Sequence, residues 1–346
     1  MSSADAVAVV LWIGATMYAV FGGADFGAGL WSLLAGRGER GRRPRELIDW
    51  AIGPVWEANH VWLIFVLVVL WTGFSPAFEA VFSTLFIPLS LTALGIVLRG
   101  SGFAFHKTAR RSRGRAVSEE IFGAASLLTP FFMGTVVGAI AGGRVPVGNA
   151  TGDAVTSWLN PLSLVIGALF VATGAYLSAV FLVSDARRAR APDLERYFRT
   201  RALIAAGVTG ALAAAGLVLL HSDAKFVFDG LTGDGLPLVI LSLLCGIAVL
   251  VLLRRGAWRG PRPLAVGAVA AVIWGWGVAQ NPYLLPQKLT IADAAAPSAT
   301  LTSVLIVFGI AVVLVLPSIG LLYTLVQRNF VEDTSQPSPR ADGRSG

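Results

Sequence analysis

The chain of 346 residues is far more apolar than a soluble protein of this length, with 55% hydrophobic and 14% charged residues and a mean hydropathy of +0.72. Its formal charge of +7 comes from arginines in short connections between apolar runs, a distribution that orients a membrane protein and argues against nucleic-acid binding. The only cysteine, Cys245, lies within an apolar run, which excludes an intrachain disulfide. The composition predicts an all-α integral membrane protein.

Nine apolar segments reach the length of about 20 residues that is needed to cross the hydrocarbon core. No basic region precedes the first segment and it is too long for a signal peptide, so we interpret it as a membrane span. An odd number of spans places the two termini on opposite sides. The predicted spans are Ala6–Leu34, Pro54–Gly73, Ala77–Leu98, Glu120–Ala141, Trp158–Val183, Ala202–Leu220, Leu236–Leu253, Leu264–Gln280 and Leu301–Leu325.

Lysines and arginines are distributed very unequally between the two sides. The connections after the first, third, fifth and seventh spans, together with the C-terminal tail, hold 24 of the 27 basic residues. The positive-inside rule therefore predicts an outside N-terminus and a cytoplasmic C-terminus. The polar tail over residues 332–346 is expected to be disordered in the cytoplasm.

The pattern of connections also indicates an internal duplication within one transmembrane domain, residues 1–331. Residues 1–142 and 158–282 would each hold four spans that enter from the outside, with basic inner connections. An even number of spans per half makes such a repeat parallel. We therefore expect two four-helix bundles and a peripheral ninth helix at 301–325.

The first span contains an acid, Asp25, within the segment GGADFGAG. Gly23 and Gly27 form a small-xxx-small face that would let another helix approach this acid closely. A carboxylate inside a span, without a lysine or arginine nearby in sequence, is typical of an ion or proton path. We therefore interpret Asp25 as functional and the glycines as packing residues.

The second span begins with GPVWEANHVWLI, where Glu57 and His60 precede an apolar run. Glu57 could merely stabilise the first helical turn, but we favour a role in proton transfer, at a depth comparable with that of Asp25. His60 could ligate a haem or a metal, or hydrogen-bond to Glu57; we favour the second because no other His or Cys stands at helical ligand spacing. Trp56, beside the acid, and Asn59 are supporting candidates. No metal-binding site is predicted.

Four motifs resemble subunit II of the cytochrome bd-type quinol oxidases, over nearly the whole chain. They are ADFGAG, GPVWEANHVWLI, AVFSTLFIPLSLTALGIVLRGSGFAF and WGVAQNPYLLP. The resemblance implies a terminal oxidase of the bacterial cell membrane that oxidises quinol and reduces oxygen to water, a quinol:oxygen oxidoreductase of the translocase class. It also implies that haems b and d are held by a partner, subunit I, in a heterodimer, while this chain binds no cofactor, acts as a scaffold and helps to deliver protons from the cytoplasm.

Residue by residue, the resemblance assigns Asp25 to the acid of the first span, and Trp56 and Glu57 to the family's Trp–acid pair. The sequence WEAN departs from the commoner WDGN by carrying Glu57 and Ala58, which lengthens the acid by one methylene. We expect the chain to be inactive alone, to contact membrane lipids and quinone, and to bind no nucleic acid. Small accessory membrane subunits could also belong to the complex.

A proton-coupled secondary transporter using Asp25 and Glu57 is the alternative. Transporters tend to have broken helices at corresponding positions of both halves, and the second half of this chain lacks matching intramembrane acids. We therefore rank this hypothesis second.

Overall fold

The protein is nearly all helical. The computed structural model describes residues 2–36, 38–52, 56–108, 112–148, 151–257 and 259–327, so the predicted disordered tail at 332–346 lies outside the described residues. The helices are α1 Ser3–Met17, α2 Gly23–Ala35, α3 Glu39–Ile52, α4 Trp56–Gly73, α5 Ser75–Thr84, α6 Phe86–Thr108, α7 Ser112–Ala141, α8 Pro161–Arg188, α9 Pro192–Asp223, α10 Lys225–Thr232, α11 Leu236–Arg254, α12 Pro261–Gln280, α13 Ile291–Ala294 and α14 Ser298–Gln327. A π-helical turn, Tyr18–Gly22, joins α1 to α2.

Several of these helices can cross a membrane. In the described part, six helical segments are long and apolar enough, and a bent pair, Asn59–Gly73 with Ser75–Thr84, would make a seventh. The six are Ser3–Ala35, Glu120–Ala141, Pro161–Arg188, Pro192–Asp223, Leu236–Arg254 and Pro261–Gln280. Two shorter apolar helices, Phe86–Gly102 and Ser298–Leu314, overlap the third and ninth predicted spans. The all-α membrane class is confirmed, while the number of nine crossings stays a prediction.

A sharp elbow separates α4 from α5. The two helices are bent by 116° around Phe74, which has φ −141° and ψ 55°. The N–H of Phe74 still donates to the carbonyl of Leu70 at 3.0 Å, and its own carbonyl accepts from Ala77 and Phe78. The third predicted span is therefore not one continuous helix, because α5 ends at Thr84 and α6 begins at Phe86.

The same elbow occurs between α9 and α10. Ala224 has φ −141° and ψ 55°, its N–H donates to Leu220 at 2.9 Å, and its carbonyl accepts from Val227 and Phe228. The N–H and the carbonyl of Ala224 thus both keep hydrogen-bond partners at the bend.

The basic connection after α2 contains a helix that the sequence pattern did not predict. In α3, Leu47 and Ile48 are buried in the same core cluster as Leu194 and Phe198, while Trp50 is 59% exposed. One apolar stripe on a polar helix is typical of a helix lying along a membrane surface. The connection is thus partly helical, because its periodicity places enough apolar side chains on one face for burial.

The chain leaves α12 through the NPYLLP segment, where a helix end was predicted. Helix α12 ends at Gln280, and the Asn281–Pro282 peptide bond is cis. Strands β1 (Tyr283–Leu285) and β2 (Leu289–Thr290) then pair antiparallel. The predicted end of the eighth span at Gln280 is confirmed, since the proline that follows cannot continue the helical hydrogen bonding.

Glycines bring α2 and α8 into direct backbone contact. A Cβ on Gly27 would overlap the carbonyl oxygen of Gly174, and a Cβ on Gly23 would lie 3.9 Å from the Cα of Gly174. The indole of Trp31, further along α2, donates to the carbonyl of Ala175 at 2.9 Å. The predicted small-residue face is confirmed, and α8 is the helix that approaches it.

This close approach predicts a strong effect of Gly27→Ala. The added methyl group has to displace backbone, so we expect the unfolding free energy to fall by about 1–3 kcal/mol. Gly207→Ala on α9 is the matched control, because nothing lies within 4 Å of a Cβ at that position. Thermal unfolding of the purified protein measures both variants, and equal midpoints would contradict the packing described here.

Candidate functional site

Asp25 forms a buried ion pair with Arg99, which lies 74 positions later in the chain. Nη1 of Arg99 donates to Oδ2 of Asp25 at 2.6 Å, and Nη2 donates to Oδ1 at 2.7 Å. Nη2 also donates to the backbone carbonyl of Asp25 at 3.1 Å. The two side chains are 0% (Arg99) and 2% (Asp25) exposed. Two parallel bonds between planar groups are the strongest geometry for this pair.

The rest of the guanidinium is also enclosed. Nε of Arg99 donates to the hydroxyl of Ser126 at 2.9 Å, and that hydroxyl donates to the carbonyl of Phe122 at 2.7 Å. The rings of Phe26 and Phe122 lie 4.8 and 4.6 Å from the guanidinium carbon. Arg99 is therefore held by α2 and α7 through both hydrogen bonds and aromatic faces.

Three helices come close together at this point because small residues line their contacts. A Cβ on Gly29 of α2 would overlap the hydroxyl of Ser126 on α7. A Cβ on Gly95 of α6 would overlap the hydroxyl of Thr129, also on α7. The spacing that brings Arg99 within reach of Asp25 thus depends on glycines on both helices.

The position of Arg99 corrects the sequence prediction. We counted it as the first residue of a cytoplasmic connection, but α6 continues to Thr108 and Arg99 is fully buried within it. The expected neighbour of Asp25 was a second carboxylate, and the observed partner is a cation. Removing one arginine from the count leaves the strong asymmetry of basic residues unchanged.

A second polar group approaches the pair from the π-helical turn. The hydroxyl of Tyr18 is buried and has no hydrogen-bond partner within the described part of the chain, and its phenol interacts electrostatically with Arg99 and Asp25. A Cβ on Gly22 would lie 2.9 Å from the Tyr18 ring, so glycine leaves room for it. Its ring packs edge-on against Phe26 at 6.5 Å. Single π turns occur often at functional sites.

The other predicted site residues lie at the start of α4. The backbone of Trp56 and Glu57 belongs to this helix, but their side chains lie outside the described residues. Asn59 is buried, at 4% exposed, and His60 is half-buried and has an interaction partner. Whether Glu57 reaches Asp25 or His60 stays a prediction.

No group of three or more His, Cys, Asp or Glu side chains within the described ranges could hold a metal ion. The charged centre found here consists of one carboxylate and one guanidinium. Such a pair can stabilise or orient neighbouring polar groups.

Sequence reasoning did not identify Arg99, Ser126 or Tyr18. A signal for Arg99 was present: it is the only charged residue in the apolar run from Phe86 to Phe105. Charged residues inside a span almost always pair with one another, so this arginine could have been assigned to Asp25. Ser126 and Tyr18 carry no comparable sequence signal.

The ion pair predicts a specific pattern of stability. Asp25→Asn or Arg99→Met alone leaves one buried charge without a partner and should cost about 3–5 kcal/mol of unfolding free energy. The double variant should recover most of this loss, because both charges are removed together. Denaturation of the four proteins gives the coupling energy. Additive losses in the double variant would contradict a direct pair.

Removal of the exposed Arg43–Asp193 pair is the control. Exposed ion pairs contribute about 1 kcal/mol or less, so Arg43→Met and Asp193→Asn should change stability little.

Comparison with known proteins connects this architecture to a family. The family described as cytochrome bd terminal oxidase subunit II matches residues 4–326. A Bacillus subtilis (strain 168) protein named "Putative cytochrome bd menaquinol oxidase subunit II" is 24% identical over 92% of this chain and 94% of its own length. Escherichia coli (strain K12) "Cytochrome bd-I ubiquinol oxidase subunit 2" is 28% identical over 39% of this chain and 34% of its own.

The fold comparison covers the same extent. A chain of the bd oxidase from Geobacillus thermodenitrificans superimposes with a TM-score of 0.75 and 25% identity, covering 95% of this chain and 100% of the other. The family match spans the ion pair and all but the ends of the described chain. This chain therefore belongs to the family of cytochrome bd terminal oxidase subunit II, multi-pass membrane proteins of a quinol-oxidising complex.

Proposed function

We propose that this chain is the non-haem subunit of a complex that oxidises quinol and reduces oxygen to water. Its role there is to support a haem-bearing subunit I, which holds haems b and d, and to help deliver protons from the cytoplasm. The family match over residues 4–326 is the observation that carries the proposal. In this proposal the chain is inactive alone.

Protons are delivered, in this proposal, by Glu57 with the assistance of Asp25. Both carboxylate oxygens of Asp25 accept hydrogen bonds from Arg99. In this proposal Asp25 therefore stays in place and shapes the local field, while Glu57 exchanges the proton. His60 lies one turn after Glu57 on the same helix face and assists it, and Asn59 is a supporting residue between them on α4.

We also propose nine membrane crossings, arranged as two parallel four-helix repeats and a ninth peripheral helix, α14. The identical backbone angles of the elbows at Phe74 and Ala224 support this arrangement. So does the element order, since each elbow follows a long helix and precedes a short helix and then a second long one.

The two proposed halves differ at the ion pair. Arg99 follows the elbow residue Phe74 in the first half. The position at the same distance after Ala224 in the second half is Val249, which is fully buried. The arginine of the Asp25–Arg99 pair is thus replaced by an apolar residue at the equivalent position of the second half. This asymmetry disfavours the transporter alternative, in which coupling groups lie at the interface of both repeats.

Oxygen uptake by the purified complex tests the role of Glu57. Glu57→Gln keeps the shape and removes the proton carrier, so quinol-dependent oxygen consumption should fall by about tenfold or more at unchanged haem content. Glu57→Asp, which restores the commoner residue of the resemblance, should keep much of the activity.

Glu79→Gln is the matched control, because Glu79 is an exposed acid on α5. It should turn over like the unsubstituted complex. Normal activity and a normal pH profile in Glu57→Gln would refute proton delivery by Glu57 while leaving the scaffold role intact.

Orientation is tested by labelling in a Cys245→Ala background. A cysteine at the exposed position Arg188, on the arginine-rich side, should react only with reagents that enter the cytoplasm. Arg188 is the last residue of α8, close to the start of α9. A cysteine at the exposed position Ser222, near the far end of α9, should react from outside. The opposite labelling would overturn both the orientation and the cytoplasmic source of protons.

A further inference from the structure

The arginine-rich face of the protein contains several ion pairs. Arg43 pairs with Asp193, Arg199 with Glu195, and Arg262 with Asp185. These pairs neutralise the ends of α8, α9 and α12 at this face.

Arg201, on α9, belongs to none of these pairs. Among the described residues no carboxylate pairs with it, and its Nη1 donates a hydrogen bond to the carbonyl of Tyr197, at 3.2 Å, on its own helix. Its side chain is half-buried. A guanidinium has five donors, so most of them remain available to another acceptor.

Two aromatic rings fix the direction of this guanidinium. Its carbon lies 3.2 Å from the centre of the Tyr197 ring and 6.0 Å from that of Trp31. Trp31 is itself anchored on α8 by its bond to Ala175. Arg201 therefore extends from α9 toward α2 and is held flat, with its edge left for a planar or tetrahedral anion.

The surface beyond Arg201 is apolar. Ile204 and Val208 lie on the same face of α9, one and two turns toward the membrane centre, and are 59% and 47% exposed. A cation at the end of a span, followed by an exposed apolar stripe, has the charge and shape complementary to an amphiphile whose anionic head is at the membrane surface.

We propose that this surface binds an anionic phospholipid of the leaflet on the arginine-rich face. Its phosphate accepts hydrogen bonds from Arg201, whose guanidinium is stacked on Tyr197, and one acyl chain runs along Ile204 and Val208. The site is independent of the proposed proton delivery, because it lies on α9, away from the Asp25–Arg99 pair.

Lipid titration of the purified, delipidated complex, followed by native mass spectrometry, tests this site. The probe is phosphatidylglycerol, with diacylglycerol as the matched molecule that lacks the phosphate. We expect saturable retention of phosphatidylglycerol and no retention of diacylglycerol. Equal retention of the two would overturn the proposal, because it would mean that the apolar stripe binds acyl chains without phosphate recognition.

Substitutions then locate the site. Arg201→Gln should weaken phosphatidylglycerol binding by about tenfold, the value of a charge-assisted hydrogen bond, and Tyr197→Leu should weaken it less. Arg196→Gln is the control, since Arg196 is exposed on the same helix and its Nε donates to a backbone carbonyl.

Unchanged affinity in Arg201→Gln, or an equal loss in Arg196→Gln, would overturn the proposal. If Arg201→Gln does not assemble, the Tyr197→Leu variant tests the proposal instead. Unchanged phosphatidylglycerol affinity in Tyr197→Leu would overturn the stacked geometry. The readout is binding, so its outcome does not depend on oxygen turnover.

Discussion

The ion pair between Asp25 and Arg99 is the interaction on which the first half of this protein depends. Each charge alone would be costly in a membrane-spanning segment, so neither can be accommodated without the other. Four hydrogen bonds from one guanidinium reach the Asp25 side chain, its backbone and Ser126. The pair thereby fixes the relative positions of α2, α6 and α7, and it requires the close approach that Gly29 and Gly95 allow.

This constraint gives α2 two different neighbours on two faces. One face carries Asp25 toward Arg99, and the other presents Gly27 to the backbone of α8 at Gly174. The first contact is electrostatic and specific, while the second is van der Waals packing between small residues. A helix held in this way has little freedom to rotate, and a fixed acid is better suited to shaping a local field than to moving with a proton.

The two proposed halves share a backbone conformation at one bend but differ in the side chains that they bury. Phe74 and Ala224 have the same φ and ψ angles, so the two halves repeat this backbone conformation without repeating the buried ion pair. Where the first half buries Arg99, the second buries Val249. Helices α9 and α11 of the second half also expose large apolar side chains, among them Ile204, Leu243 and Leu244.

The sequence by itself determined the membrane class, the helix-breaking NPYLLP segment, the small-residue face of α2, Asp25 as an unusual acid and the resemblance to the oxidase family. These follow from local properties: hydropathy over one segment, residue spacing and motif identity. Only the tertiary structure decided that Arg99 is the partner of Asp25, that Ser126 and Tyr18 border the pair, and that α3 packs on the core. These depend on contacts between residues far apart in the chain, and hydropathy counts a buried arginine near a span end as part of a loop. Whether a charged side chain can be buried depends on its partner, and here the two partners lie in different segments of the sequence.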